Sequence, residues 1–325
     1  MDLKDKKILY ELSKNSRLSS RQIAKRVSLS RDAVIYRIKN LEKKGAIQKY
    51  IAVVNLKKLN YRTHIIFLEF KKFDLETEKS ILAYLVNFPY TIWVASPSGN
   101  WDVIIDIVSK DTDQFDRNLT TIINHLGNNL KNYEVLETIK EFYYNHKYLT
   151  GQTAKEEREK LIEYAIDETD YLILKEISQN SRINSTEIAE KLKISHDQVS
   201  YKIRKLLQSS YIDQFTVMID FSKLDLSYYY LFLQFNKLDK QTEIKIINFL
   251  KSQKEVLFLG KNAGKFNFNV DVIVENPIKL KEFITKLRVS FGDILESKET
   301  ILMFEQIKNN YFPEGVFKDL LIQPK

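Results

Sequence analysis

The segment from Ser28 to Ile47 predicts a short helix with a chemically varied outer face. Val34, Ile38 and Leu41 recur at helical spacing and predict its buried side. The other side presents Arg31, Asp32, Ile35, Tyr36 and Lys39, with Arg37 at its edge. Arginine can donate two hydrogen bonds to guanine, a carboxylate can accept one from cytosine, and an isoleucine methyl group can contact thymine. The pattern favours a helix that reads the major groove of DNA, although any solvated helix also has a polar face.

Other side chains are suited to the DNA backbone, which cations, hydroxyl groups and helix N-termini contact. We expect phosphate contacts from Arg37, Lys39 and the start of the preceding helix, at Ser19, Ser20 and Arg21. Residues 1–50 hold 14 basic and 5 acidic side chains, and the whole chain has a net charge of +8. Such a concentration of positive charge indicates a polyanionic partner. We therefore predict double-stranded DNA as the partner.

Residue types that support other chemistry are scarce. The chain has no cysteine, and none of its four histidines is paired at the spacing of metal ligands. No nucleophile with a base and no glycine loop for phosphates is recognisable. We therefore expect no metal, no cofactor, no catalytic residues and no enzymatic activity. The N-terminus lacks a signal-peptide core and no run of about 18 apolar residues occurs, so we expect a cytoplasmic protein without membrane spans.

The chain contains an internal duplication. A shift of 165 positions aligns DLKDKKILYELSKNSRLSSRQIAKRV with DETDYLILKEISQNSRINSTEIAEKL. The alignment continues without a gap to Val108 and places Asp106 on Asp271. The predicted segments are a winged helix-turn-helix over 1–60, an α/β domain over 61–146, a helical connector over 147–166, a less basic winged helix-turn-helix over 167–225 and a second α/β domain over 226–325.

Each repeat begins with three short predicted helices. In the first repeat, Asp2 is placed as the N-cap of the first helix, and the third helix is predicted to open at Ser30. Ser19 and Gln22 match a capping box at the second, and Gly45 suits the C-terminal cap of the third. The strand, helix, strand, strand, helix, strand order that follows is ferredoxin-like. The predicted fold class is α+β, with two repeats of a winged helix-turn-helix and a ferredoxin-like βαββαβ domain.

These features resemble the Lrp/AsnC family of leucine-responsive and asparagine-operon transcription regulators. The resemblance rests on the pattern NSR…IA…LS…V..RI..LE..G.I, followed by the Gly-x-x-Asp of SGNWD, and it covers nearly the whole chain twice. It implies sequence-specific DNA-binding regulators that associate through their α/β domains and respond to a small effector such as an amino acid. Family members usually have one copy, so two fused copies are a departure.

The resemblance implies a weaker expectation for an effector site. The family's Gly-x-x-Asp corresponds to Gly99 and Asp102, and its counterpart in the second repeat is Gly264 and Asn267. In the family this hairpin lies near the assembly contacts and the effector pocket, so these four residues are candidate effector-binding residues. The alternative is that they are turn residues, with glycine for a positive φ and Asp or Asn for side-chain capping.

The second repeat keeps the fold signals but not the charge. Residues 167–215 hold 7 basic and 8 acidic side chains. Its candidate DNA-binding residues are His196, Asp197, Ser200, Tyr201 and Lys202. Because phosphate contacts dominate affinity for nucleic acid, we expect the second copy to bind DNA more weakly, or to serve chiefly as a structural partner.

Fusion suggests an internal pseudo-dimer in which the two α/β domains of one chain pack together, although strand exchange between chains is equally compatible. Two other functions stay open. One is a tetrapyrrole enzyme similar to siroheme decarboxylase, which combines two Lrp-like subunits. The other is a sensor or interaction protein whose helix-turn-helix domains do not bind DNA.

Overall fold

The computed structural model describes residues 1–151 and 161–322 of the chain. The first repeat contains α1 (Leu3–Lys14), α2 (Ser20–Val27), α3 (Arg31–Lys43), β1 (Ile47–Val54), β2 (Arg62–Phe70), α4 (Leu75–Asn87), β3 (Thr91–Pro97), β4 (Val103–Ser109), α5 (Thr112–Leu126) and β5 (Leu130–Tyr143). The second contains α6 (Glu168–Gln179), α7 (Ser185–Leu192), α8 (His196–Gln208), β6 (Ile212–Ile219), β7 (Ser227–Phe235), α9 (Lys240–Ser252), β8 (Val256–Ala263), β9 (Phe268–Val274), α10 (Pro277–Phe291), β10 (Leu295–Asn309) and α11 (Glu314–Ile322). The predicted α+β fold, with a helix-turn-helix and a βαββαβ domain in each repeat, is confirmed.

Local sequence signals set the boundaries of the first three helices. The side chains of Asp2 and Ser30 accept backbone hydrogen bonds at the starts of α1 and α3. Ser19 and Gln22 form the predicted capping box at the start of α2. Gly45 follows α3 with a φ of +72°, a left-handed conformation that glycine adopts at little cost. All of these caps satisfy backbone groups that a helix end leaves unpaired.

The strand after each helix-turn-helix pairs with its counterpart in the other repeat. β1 and β6 form an antiparallel two-stranded ribbon. Its register places Ile51 opposite Thr216, and these two residues occupy equivalent positions in the repeats. Helix α1 packs on β6, and α6 packs on β1. Each helix-turn-helix therefore rests on a strand of the other repeat.

The other eight strands form one closed barrel in the order β10-β3-β4-β2-β5-β8-β9-β7. Each repeat supplies four neighbouring strands. The joints between the repeats are the antiparallel pairs β5–β8 and β3–β10. Closure pairs every strand of both α/β domains on two sides, which removes the open edges that would otherwise attract other chains.

The core lies in layers inside and outside the barrel. Helices α4 and α5 cover the outer face of the first half, and α9 and α10 cover the second. The interior is shared by both repeats. There, the rings of the equivalent residues Phe67 and Phe232 meet at a centroid distance of 5.0 Å. The interior side chains therefore tie the two repeats into one core.

The secondary structure of the connector and of the C-terminus was predicted less well than that of the two repeats. Most of the predicted connector helix falls on residues 152–160, which lie outside the described residues, and residues 161–166 contain no helix. Helix α11 was not anticipated. It packs on α6 through Val316, Phe317 and Leu320. In the described ranges, no helix is both long and apolar enough to cross a membrane.

Candidate nucleic-acid interface

The outer face of α3 carries most of the predicted base-reading residues. Arg31, Asp32 and Lys39 are exposed. Tyr36 is 68% exposed although it is a large aromatic residue, and Ile35 is half-buried beside it. Because Val34, Ile38 and Leu41 are buried on the opposite side, these five residues share one solvent-facing surface. The surface combines hydrogen-bonding and apolar groups, as base reading requires.

The three residues at the start of α2 that were predicted to contact phosphates differ in their exposure and in the hydrogen bonds they already make. The Ser19 hydroxyl donates to Gln22 Oε1 at 3.0 Å and accepts from the Gln22 amide at 3.3 Å, so its capping bonds are made within the helix. Ser20 is half-buried, whereas Arg21 is exposed. Arg21 is therefore the best placed of the three for a phosphate, and the roles of Ser19 and Ser20 stay predictions.

Arg37 is engaged within the protein. Its Nη1 atom lies 2.6 Å from Asp2 Oδ2 and 2.8 Å from Asp5 Oδ1. The side chain thereby joins α3 to the N-terminus of α1. The phosphate contact predicted for Arg37 stays a prediction. A phosphate would have to share the guanidinium group with the carboxylates of Asp2 and Asp5.

Lys202, the equivalent of Arg37 in the second repeat, makes the same connection. Its Nζ atom lies 2.6 Å from Asp167 Oδ2 and 3.1 Å from Asp170 Oδ2. The sequence contained a signal for these ion pairs, because the two aspartates and the cation recur in both repeats. Sequence reasoning assigned the cations to DNA and the first aspartate to a cap, and it missed the ion pairs between them.

The remaining candidates on α8 are mostly exposed. His196 and Asp197 form a solvent-facing pair at 3.3 Å, with side chains 57% and 99% exposed. Tyr201 is 48% exposed and lies 5.8 Å from the Arg204 guanidinium carbon. Ser200 is half-buried. The second helix-turn-helix thus also offers an open outer face, with fewer cations at its N-terminal end.

The contrast in charge is sharpest on the helix before each recognition helix. Helix α2 carries only basic charged residues, Arg21, Lys25 and Arg26. Helix α7 carries Glu187, Glu190 and Lys191. Lys25 and Glu190 occupy equivalent, exposed positions, so one surface attracts a polyanion where the other repels it.

The Gly-x-x-Asp hairpin has a structural role in both repeats. Asp102 Oδ2 accepts a hydrogen bond from the Phe70 amide at 2.8 Å. Asn267 Oδ1 accepts the equivalent bond from the Phe235 amide at 2.6 Å. The Asp102 carboxylate and the Asn267 side-chain amide thus have the same role, because each holds its hairpin against the end of the neighbouring strand.

The two glycines of the hairpins take the positive φ that a turn requires, +97° at Gly99 and +127° at Gly264. These observations favour the turn interpretation of the four hairpin residues. Their predicted contact with an effector is not tested by the geometry and stays a prediction.

A cavity of about 100 Å³ lies between the barrel and the β1–β6 ribbon. Three carboxylates line it, Asp106, Glu141 and Asp271, and we call it the central cavity. Burial raises the pKa of Asp106 and that of Asp271, the latter to about 7, whereas Glu141 is an exposed residue. Tyr228 donates a hydrogen bond to Asp271 Oδ2 at 2.9 Å.

Sequence analysis did not identify the central cavity. The available signal was a carboxylate in the middle of an otherwise apolar strand, at the equivalent positions Asp106 and Asp271. Glu141 has no equivalent carboxylate. Near the end of the repeats LETIKEF aligns with KETILMF at an offset of 162, which places Met303 of β10 at the position of Glu141. The cavity is therefore asymmetric, although the barrel around it is built from two copies.

The fold and the exposed basic surface define a winged helix-turn-helix DNA-binding protein. A family model for winged helix-turn-helix DNA-binding domains matches residues 1–48 and 166–213. The chain is 32% identical over 116 residues to the transcriptional regulator AzlB of Bacillus subtilis, covering 35% of this chain and 74% of that protein. An uncharacterised HTH-type transcriptional regulator of Pyrococcus furiosus is 30% identical over 139 residues, which is 42% of this chain and 92% of that protein. The chain belongs to the Lrp/AsnC family of HTH-type transcriptional regulators.

A solved structure matches both repeats at once. Siroheme decarboxylase NirDL is similar over 98% of each chain, with a TM-score of 0.60 and 12% identity. At this identity the likeness concerns the fold alone. It contradicts the expectation that the chain is not an enzyme, because an enzyme uses the same two-repeat architecture, and the absence of a recognisable catalytic motif does not exclude activity.

Proposed function

We propose that this chain is a sequence-specific DNA-binding transcriptional regulator whose fused repeats act as a covalent pseudo-dimer, with the first repeat the stronger DNA reader. Membership of a regulator family supports the general role. The single observation that carries the finer proposal is the charge contrast between the equivalent helices α2 and α7, next to two similarly exposed recognition helices.

The pseudo-dimer part of the proposal is supported by the packing of each helix-turn-helix on a strand of the other repeat. Such packing restricts the relative positions of α3 and α8, which favours binding to two half-sites at a fixed separation. Covalent linkage also raises the effective concentration of the second reader. Because the two outer faces differ in sequence, the proposed operator is asymmetric.

The experiment is a salt series of binding to random-sequence duplex DNA, performed on the whole chain because each helix-turn-helix rests on the other repeat. Lys25→Glu should weaken binding and make the logarithmic salt dependence shallower by about one phosphate contact, or about 0.9 in slope. Glu190→Lys, at the equivalent position, should strengthen binding. Lys79→Glu on the outer helix α4 makes the same charge change away from the proposed surface and serves as the control.

Sequence reading is tested separately by selection from randomised duplexes. The variant Arg31→Ala/Asp32→Ala should recover a degenerate motif, because each good base contact contributes about 1–3 kcal/mol of discrimination. An unchanged motif, or equal losses for Lys25→Glu and Lys79→Glu in the salt series, would refute this assignment of the reading surface.

The fold shared with siroheme decarboxylase calls for a comparison of the central cavity with a tetrapyrrole. Siroheme is a polycarboxylate, and its binding calls for cationic partners. The described residues that line the central cavity include three carboxylates and no lysine or arginine. This lining does not fit a polycarboxylate tetrapyrrole, and we assign none to the chain.

A further inference from the structure

The central cavity gathers acidic groups, and the described residues that line it include no lysine or arginine. Asp106 and Asp271 come from equivalent strands of the two repeats, and Glu141 comes from the end of β5. His146 also lines the cavity, but burial lowers its pKa to about 3, so it is neutral at physiological pH. An uncompensated buried carboxylate is costly, and a bound cation would offset that cost.

Several buried polar atoms in the cavity wall lack a partner. Thr216 is only 5% exposed, and its Oγ1 atom has no hydrogen-bond partner among the described residues. The same holds for Asp106 Oδ1 and Asn309 Oδ1. Buried polar atoms are nearly always hydrogen-bonded, so a cluster of unpartnered acceptors around one cavity indicates a ligand that donates hydrogen bonds.

The arrangement favours an organic cation over a metal ion. In the part of the chain that the structure describes, no group of three His, Cys, Asp or Glu side chains is close enough to hold a metal. The carboxylates are instead spread along a cavity that five tyrosines also line, Tyr143, Tyr144, Tyr228, Tyr230 and Tyr311. Aromatic rings attract ammonium groups through their negative faces.

Two surface clefts share lining residues with the central cavity. One, of about 440 Å³, shares Glu141 with the cavity and also contains Lys57 and Asp213. The other, of about 470 Å³, shares Tyr228 and Gln306 with it.

We propose that the central cavity binds a small organic amine with one or two ammonium groups and no carboxylate. The ammonium groups donate to Asp106, Asp271 and Glu141 and lie against the tyrosine rings. A carboxylate on the ligand would face the three acids with no lysine or arginine in the lining to receive it. The volume of the central cavity, about 100 Å³, also fits a small molecule, since about 10–15 Å³ of cavity volume holds one water molecule.

Because Ile51 and Thr216 of the ribbon line the same cavity, a bound amine would touch the element on which both helix-turn-helix modules rest. The binding proposal itself does not rest on DNA recognition and is tested without DNA.

The experiment is isothermal titration of the whole chain at pH 8 with putrescine and with ornithine, which has the same amines plus a carboxylate. Cadaverine and lysine form a second matched pair. We expect saturable binding of the diamines and at least tenfold weaker binding of both amino acids. This comparison uses the unmodified protein, so it does not depend on the folding of any variant. No heat from either diamine at millimolar concentration, or equal affinity for amine and amino acid, would overturn the proposal.

Variants then locate the site. Asp271→Asn and Asp106→Asn should each weaken diamine binding at least tenfold. Asp116→Asn, an exposed carboxylate on α5, makes the same substitution outside the cavity and should leave binding unchanged. Equal losses in all three variants, or complete competition by an equal concentration of Mg²⁺, would mean that the diamine responds to overall charge and not to this cavity.

Discussion

The hydroxyl oxygens of Ser16 and Ser181 lie 2.7 Å apart in a hydrogen bond between equivalent residues of the two repeats. Both side chains are fully buried. The same local two-fold relation pairs Ile51 with Thr216 in the ribbon and Phe67 with Phe232 in the barrel. The axis that relates the repeats therefore runs through the interior, from the helix-turn-helix modules to the barrel.

We predict that the two serines are energetically coupled. Ser16→Ala or Ser181→Ala alone should lower the free energy of unfolding by about 1–2 kcal/mol, because the remaining buried hydroxyl loses its partner. The double variant should cost less than the sum of the two, since it leaves no orphaned hydroxyl. Urea unfolding of the four proteins measures the coupling, and strictly additive losses would argue against it.

The two ion-paired cations on the recognition helices should differ in their contributions to stability. Lys202→Met leaves the fully buried Asp170 carboxylate without its cation, so we expect a loss of about 3 kcal/mol. Arg37→Met is the matched change in the first repeat, where the side chain of Asp5, the equivalent of Asp170, is 22% exposed, and we expect a loss of at most about 1 kcal/mol. Chemical denaturation of both variants tests the order, and equal losses would contradict the role given to burial.

The hairpin residue Asp102 should tolerate an amide. Asp102→Asn should be nearly neutral, because Asn267 already accepts the equivalent backbone hydrogen bond. Asp102→Ala should cost about 1–3 kcal/mol, because the Phe70 amide loses its acceptor. Thermal and chemical unfolding compare the two. If Asp102→Asn folds normally but abolishes a ligand response of DNA binding, the effector role of this residue would regain support.

Stability should depend on pH through the central cavity. Burial raises the pKa of Asp271 to about 7 in the folded protein from its ordinary value of 3.8, so between these pH values the folded state holds one more proton. The free energy of unfolding should therefore fall as pH rises from about 4 to 7, and the loss should be complete above the folded pKa. Asp271→Asn should flatten this slope and stabilise the chain at pH 8 relative to the unmodified protein.

The control for the pH series is Asp116→Asn, which should keep the slope of the unmodified chain. Burial also raises the pKa of Asp106, so Asp271→Asn should reduce the slope without abolishing it. A variant whose stability changes with pH as steeply as that of the unmodified protein would show that Asp271 is not the group responsible.

Much of each repeat could be predicted because its signals are local. A capping residue such as Asp2 or Ser19 bonds with a neighbour three positions away, and strand alternation or helical periodicity involves only nearby residues. The duplication was visible for the same reason, since it compares letters at a constant offset. These signals were sufficient to predict the order of elements and the open outer face of α3.

Long-range partners were decided only by the tertiary structure. Nothing local to Arg37 distinguishes a phosphate contact from an ion pair, because the deciding carboxylates of Asp2 and Asp5 lie more than 30 positions earlier. The pairing of β1 with β6 and the closure of the barrel depend on which strand edges meet after the chain has folded. The central cavity exists only because that closure brings Asp106 and Asp271 from separate repeats to one place. The amino-acid sequence thus determined the elements and the two similar halves, whereas packing across the two-fold axis determined which polar groups are buried together, since burial is a property of the assembled surfaces.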